Sequence, residues 1–175
     1  MDRKKRMDNT QGSTMKYFTA DWYSGNLSDQ ECNRLRDAYW EYVDSIYYQL
    51  PFGLKILAKH INLHDAIVAQ FYYNPKERTI FMQIFGGDLQ IGYFSLECTY
   101  SGVIKYWSSQ EKNKNPIHME ILSDEIELLD KETFSQKFLF VGDNEMEITF
   151  KKMAISISTI SEKDYLQLPV LRQPA

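Results

Sequence analysis

The hydrophobic period of this chain changes once, at residues 62–65, and the change separates what can be helix from what must be sheet. Before it, apolar residues recur every three or four positions; after it, every second one. The upstream pattern has a defined start. Ser28 and Glu31 form an S-x-x-E capping box, in which each side chain takes up a backbone N–H of the first turn, and Leu27 and Cys32 stand where a hydrophobic staple would. Cys32, Leu35, Tyr39, Tyr42, Val43, Ile46 and Leu50 then mark the apolar stripe of an amphipathic helix. Its length is about 22 residues, roughly 33 Å, and Pro51 ends it. A second, shorter helix is predicted over residues 52–60, with Leu54, Leu57 and Ile61 inward. Residues 15–23 mix aromatics with Lys16 and Asp21, which suits a short strand or an N-terminal turn.

Downstream, residues 67–73 read as a strand closed by the turn pair Asn74-Pro75. In residues 79–85, Ile80, Met82 and Ile84 line one face while Phe81 and Phe85 make the other partly apolar, as in a strand covered on both sides. Gly86-Gly87-Asp88 is predicted as a hairpin turn, and the strand pattern resumes over 89–100 and 103–107. Residues 108–116 are polar and charged, a long loop. Ile117, Met119 and Ile121 then share a face opposite His118 and Glu120, so His118 should meet solvent. Strands over 125–130 and 134–141 lead to a turn at Gly142-Asp143-Asn144. Met146, Ile148 and Phe150 next alternate with Glu145, Glu147 and Thr149, and 154–160 is the last strand. About eight strands at short spacing, with helices confined to the N-terminal third, predict an α+β fold. In it, N-terminal amphipathic helices pack on a mostly antiparallel sheet or partly open sandwich. A chain of 175 residues fits one domain. That domain is expected over residues 15–160, after a flexible basic leader, 1–14, and before a loosely packed C-terminal tail, 161–175, that contains Pro169 and Pro174.

Charge narrows the function. The net charge is −4, but residues 1–14 carry +2 and the rest therefore −6. An acidic body lacks the clustered Lys and Arg that phosphates need, so no nucleic-acid partner is expected; a basic protein partner fits better. The longest uncharged stretch is about ten residues, half of the 20 or so that a membrane span requires, so no membrane partner is expected. The basic N-terminus is followed by polar residues where a signal peptide would be apolar. Cys32 and Cys98 form neither a disulfide framework nor a metal-type pair. The expectation is a cytoplasmic protein whose thiols serve as small apolar groups.

No catalytic motif is present. There is no G-x-S-x-G elbow to activate a serine, and Gly86-Gly87 lacks the Gly-Lys-Ser/Thr of a phosphate-binding loop. No catalytic residue and no cofactor are therefore expected. His60 and His64 stand four apart, the spacing of two zinc ligands on one helix turn, and form the weak alternative of a metal site. Ile61 stands where a zincin would have its general-base Glu, and His64 falls at the change of period. The simpler reading has His64 and Asp65 hydrogen-bonding free backbone groups at a helix-to-strand junction. The best-localised surface feature is acidic: Glu120, Asp124, Glu125, Glu127, Asp130 and Glu132, opposed by Lys131 alone. Alternation turns Glu125 and Glu127 outward on one strand face. That face is either the solvated side of an edge hairpin, charged against edge pairing, or an acidic docking patch.

The phrase Met15-Lys16-Tyr17-Phe18-Thr19, followed by Trp22-Tyr23, resembles the opening of a bacterial family of domains of unknown function. Leu63-His64-Asp65-Ala66 and Gln90-Ile91-Gly92-Tyr93 also look like that family. The similarity runs from about Met15 to Ser158. Leu-His-Asp at a helix-to-strand step is similar, too, to what small bacterial immunity-type families show. The resemblance implies an intracellular bacterial protein from a toxin–immunity or defence neighbourhood, and it carries no catalytic residues over. Together these readings favour a non-enzymatic protein-binding domain, an immunity-type inhibitor that meets a basic toxin or other enzyme through its acidic face. The alternative is a small-ligand- or metal-binding module, or an enzyme, using the cleft between helices and sheet. A homodimer built on the aromatic surface is a third form of partner.

Overall fold

A computed structural model of the protein describes residues 13–109, 116 and 118–166. Leader residues 1–12, Ile117, most of the expected 108–116 loop and tail residues 167–175 lie outside the described residues. The chain enters through a four-residue helix, α1 (Ala20–Tyr23), and then α2 (Asp29–Ile46). The capping box forms as expected: Ser28 Oγ accepts the Glu31 N–H at 3.3 Å, and Glu31 Oε2 accepts the Ser28 N–H at 3.0 Å. A 3-10 turn (Tyr47–Gln49) carries the chain past Pro51 into α3 (Phe52–His60). The buried face of α2 is Tyr39, Val43 and Ile46; that of α3 includes Leu54, Leu57 and Ala58.

Eight strands follow: β1 (Ile67–Asn74), β2 (Thr79–Asp88), β3 (Gly92–Ser101), β4 (Lys105–Ser108), β5 (Ile121–Asp130), β6 (Thr133–Phe140), β7 (Asn144–Phe150) and β8 (Lys152–Ile160). They form two antiparallel sheets, β1-β2-β3-β8 and β4-β7-β6-β5, so the fold is α+β. The sheets are stitched at one corner, where the Asp65 N–H reaches Ile121 O at 2.9 Å and the Ile121 N–H reaches Ala66 O at 2.8 Å. Their inner faces share one core with α2 and α3, in which Tyr100 of β3 meets Phe150 of β7 edge to face. Tail residues Glu162–Leu166 form a short helix, α4, whose Tyr165 stacks on Tyr93 at 4.2 Å.

Two local expectations need correction. Gly86 and Gly87 are not the hairpin turn: they sit in β2, paired with Phe94 and Tyr93, and the turn is Leu89–Ile91. Glycine is needed at Gly87, where φ is 101° and a Cβ would collide with the Gly92 carbonyl oxygen on β3. The turn itself is made by Asp88, whose Oδ1 accepts the N–H groups of Gln90 and Ile91. The second correction concerns β5. The strand expected over 125–130 begins earlier: residues Ile121–Asp130 form one strand, with register shifts after Ile121 and after Leu128. The extra residue after Ile121 shifts the alternation, so that Ile121 and Ile126 both face the core although five positions apart.

β5 is an edge strand, but charge is not what closes its edge. The Ile126 N–H donates to Tyr39 Oη and the Leu128 N–H to Tyr42 Oη, each at 2.9 Å. Two tyrosines one helical turn apart on α2 thus stand in for a neighbouring strand.

Candidate functional site

The acidic residues divide between the two faces of β5. Glu125 and Glu127 share the outer face, as alternation requires, but that face is covered. Residues 13–18 cross it from β7 to β5: Ser13 Oγ and the Thr14 N–H and Oγ1 donate to the Glu145 carboxylate. Further along, the backbone N–H groups of Lys16, Tyr17 and Phe18 donate to Glu125 at 2.7–2.9 Å. Glu125 is only 3% exposed. Beneath this strap, Glu125, Lys137 and Glu147 stand directly across from one another on β5, β6 and β7. Glu127 takes Lys137 Nζ at 2.7 Å and Lys16 Nζ as well; Glu147 takes Lys105 Nζ at 2.6 Å and Ser135 Oγ at 3.1 Å. Burial alone would raise the Glu127 carboxyl, yet the two lysines outweigh it and hold the group below its ordinary range. The expectation of a solvated docking patch at Glu125 and Glu127 is therefore overturned. Their charge is spent inside the molecule, fastening the strap, where burying it without partners would be costly.

Glu120, Asp130 and Glu132 are exposed, and Asp130 Oδ1 accepts the Glu132 N–H in the β5–β6 turn. Asp124 is different. It faces the same side of β5 as Ile126 and opens onto a cleft of about 460 Å³ between the helices and the sheet. Phe18 and Tyr23 contribute one wall, Tyr39 and Trp40 of α2 another, and Leu57 and Ala58 of α3 a third. The aromatic walls are mutually braced. Phe18 stands edge-on to Tyr39 at 5.0 Å and to Trp22 at 5.6 Å, Tyr23 donates its hydroxyl to Leu122 O at 2.8 Å, and Tyr39 is held by its bond from Ile126.

The Asp124 carboxylate accepts Gln136 Nε2 at 2.8 Å, and Gln136 Oε1 in turn accepts the Tyr100 hydroxyl at 2.8 Å. Among the described residues no cation forms an ion pair with it. Burial pushes its pKa up to about 6; the Gln136 hydrogen bond works against that, and the neighbouring Glu125 charge adds to it. A carboxyl so placed changes charge just below neutrality, a property common at functional sites. Cys98, on β3, is pushed by burial to about 12, which leaves a thiol without nucleophilic thiolate.

His60 and His64 both line the exposed side of this cleft. They do not share a helix turn, because α3 ends at His60; His64 Nδ1 instead lies 2.9 Å from Asp65 Oδ1, and the His64 N–H donates to Asn62 Oδ1. Among the described residues, no group of three or more His, Cys, Asp or Glu side chains is placed to hold a metal ion. His118 is exposed, on the turn before β5. Sequence reasoning named Asp124 but placed it in a surface patch. The signal for its true position was available: counting back by two from the apolar Leu128 and Ile126 puts Asp124 on the core face. Residues 15–23 and 63–66 also meet at this cleft, through Phe18, Tyr23, Leu63 and His64. Comparison of the chain with protein-family models, with curated proteins and with solved structures finds no match.

Proposed function

We propose that this protein is a small-molecule-binding domain and that its ligand occupies the cleft between α2, α3 and β5. The observation that carries the reading is Asp124: a carboxylate without a cationic partner among the described residues, set among aromatic and aliphatic walls in an opening large enough for a small ligand. A fold gains nothing from an uncompensated carboxylate at such a place, so its use lies outside the fold. The test is a fragment screen followed by amide chemical shifts of the full chain. Hits should cluster on Phe18, Tyr39, Leu57 and Asp124. Hits scattered over the surface, or confined to the outer face of the second sheet, would refute the reading.

One observation favours a second reading, protein docking, with immunity-type inhibition of a basic toxin or enzyme as its specific form. Tyr48 and Phe52 project at the α2–α3 corner with 89% and 75% of their surface exposed. Large apolar side chains that close together form the nucleus of a contact patch. The reading requires that Tyr48→Ser with Phe52→Ser abolish capture of a partner while leaving the fold intact. It no longer draws on Glu125 or Glu127. No helix among the described residues is long and apolar enough to cross a membrane.

A further inference from the structure

Resting on the ligand-binding reading above, we infer that the ligand is an organic cation, an ammonium or guanidinium on an apolar body, seated against Asp124 in the cleft that Tyr39, Trp40 and Phe18 line. Three observations converge. The first is the charge balance on β5. Glu125 and Glu127, its two other carboxylates with restricted access, have their charge met by backbone N–H groups or lysines, whereas Asp124 has Gln136 and no cation. The missing partner of a carboxylate in a sheltered place is a positive group with hydrogens to donate.

The second is the wall. Aromatic faces attract cations electrostatically and repel anions, and the effect grows where water is excluded. The cleft already uses it once: Lys59 Nζ lies 5.6 Å from the centre of the Trp40 ring while paired with Asp44. The third is what the site lacks. A bare metal ion needs several oxygen, nitrogen or sulfur ligands, and no such group of three exists among the described residues. An anion would meet the Asp124 charge directly.

Several titratable groups line the cleft or lie beside Asp124. They are Tyr23 from α1, Tyr39 from α2, Lys59 and His60 from α3, and His64 beyond it, together with Cys98 and Tyr100 from β3 and Glu125 on β5 itself. The tyrosines and Cys98 are neutral across the working range, since burial raises all of them. Asp124 is the carboxyl that an ammonium in the cleft would meet. An ammonium seated there binds the ionised form, so its affinity falls about tenfold per pH unit below the carboxyl's own pKa.

The experiment is a titration of the full chain, followed by Trp40 fluorescence and amide shifts. The probes are a panel of alkyl- and arylammonium and guanidinium compounds, phenethylamine among them, each paired with its neutral hydroxyl isostere, and phenylacetate as the anion. The expected result is that at least one cation binds about tenfold or more tighter than its isostere, that phenylacetate does not compete, and that Asp124→Asn removes the difference. Asparagine keeps an oxygen for Gln136, and circular dichroism checks that the variant folds. Isosteres that bind as well as their cations, or an Asn variant that binds cations unchanged, would overturn the cation while leaving the cleft as a ligand site. Should no member of the panel shift the cleft amides at millimolar concentration, the cation inference fails, and the ligand-binding reading falls with it only if the fragment screen is also empty there.

Discussion

Glu125 and Asp124 are neighbours in the chain and opposites in the structure. Glu125 lies under a strap of backbone and receives three of its N–H groups. Asp124, on the other face of the same strand, receives one side-chain amide and its own backbone N–H, with no cation beside it among the described residues, and looks into a cleft. Both are acidic, both have restricted access, and a count of charges would place them in one patch. What separates them is whether the molecule itself completes the hydrogen bonding of the charged form. Where it does, the charge is part of how the chain holds together; where it does not, the charge is kept for something from outside.

That contrast is open to direct attack. The largest effect should come from Glu125→Ala, which strips three backbone donors of their acceptor and leaves Lys137 beside an emptied position. We expect a loss of about 3 kcal/mol in chemical denaturation, with the amides of Lys16, Tyr17 and Phe18 losing hydrogen-exchange protection. An unchanged midpoint would mean that the strap contributes nothing to stability, and would dissolve the distinction between the two carboxyls.

Asp124→Asn should act in the opposite direction. The folded-state pKa of Asp124 lies above the ordinary carboxylate value, so the folded chain holds this proton more tightly than the unfolded one. Its contribution to stability is fully present below about pH 4 and declines as pH rises to about 6, then stays flat. Replacing it with Asn should stabilise the protein by about 1–3 kcal/mol above pH 6 and flatten that part of the profile. A variant less stable than wild type at pH 8 would place Asp124 with Glu125 as a structural charge.

Tyr39→Phe probes the boundary between the two faces. It removes the acceptor of the buried Ile126 N–H without changing the ring, and should cost about 1–2 kcal/mol; Tyr42→Phe, at the less buried Leu128 N–H, should cost about half as much. Ser28→Ala, remote from both carboxyls, gives the scale for an ordinary local contact: about 1 kcal/mol from the lost cap. If it cost as much as Glu125→Ala, the strap would be no stronger an attachment than a single helix cap.

Much of this was legible in the residues. The start of α2 could be read because the capping box is local, four residues that satisfy one another without help. The turn before β7, at 141–143 and so one residue earlier than expected, and the period of β7 were legible for the same reason. The strap was not. Its bonds to Glu125 and Glu145 join residues 107–132 positions apart, and alternation says which way a side chain points, not what lies over it. The β5 bulge escaped because one extra residue shifts the pattern without leaving a mark of its own. Gly86-Gly87 misled because glycine serves two needs, a turn and a close approach, and here the backbone of Gly92 beside Gly87 demanded the second. The cleft was foreseen as the space between helices and sheet, though the residue that gives it chemistry was assigned to the surface.

The two tyrosine hydroxyls along β5 have a consequence beyond their hydrogen bonds. A phenol oxygen accepts one N–H and offers no ladder for a further chain to extend, so the second sheet ends at β5. Tyr39→Phe keeps the ring over β5, so the Ile126 N–H loses its acceptor yet stays covered, and the variant should be weaker without opening the edge to another molecule's strand. In concentrated solution the melting curve should report the loss of that single oxygen, while turbidity stays at the level of the wild type.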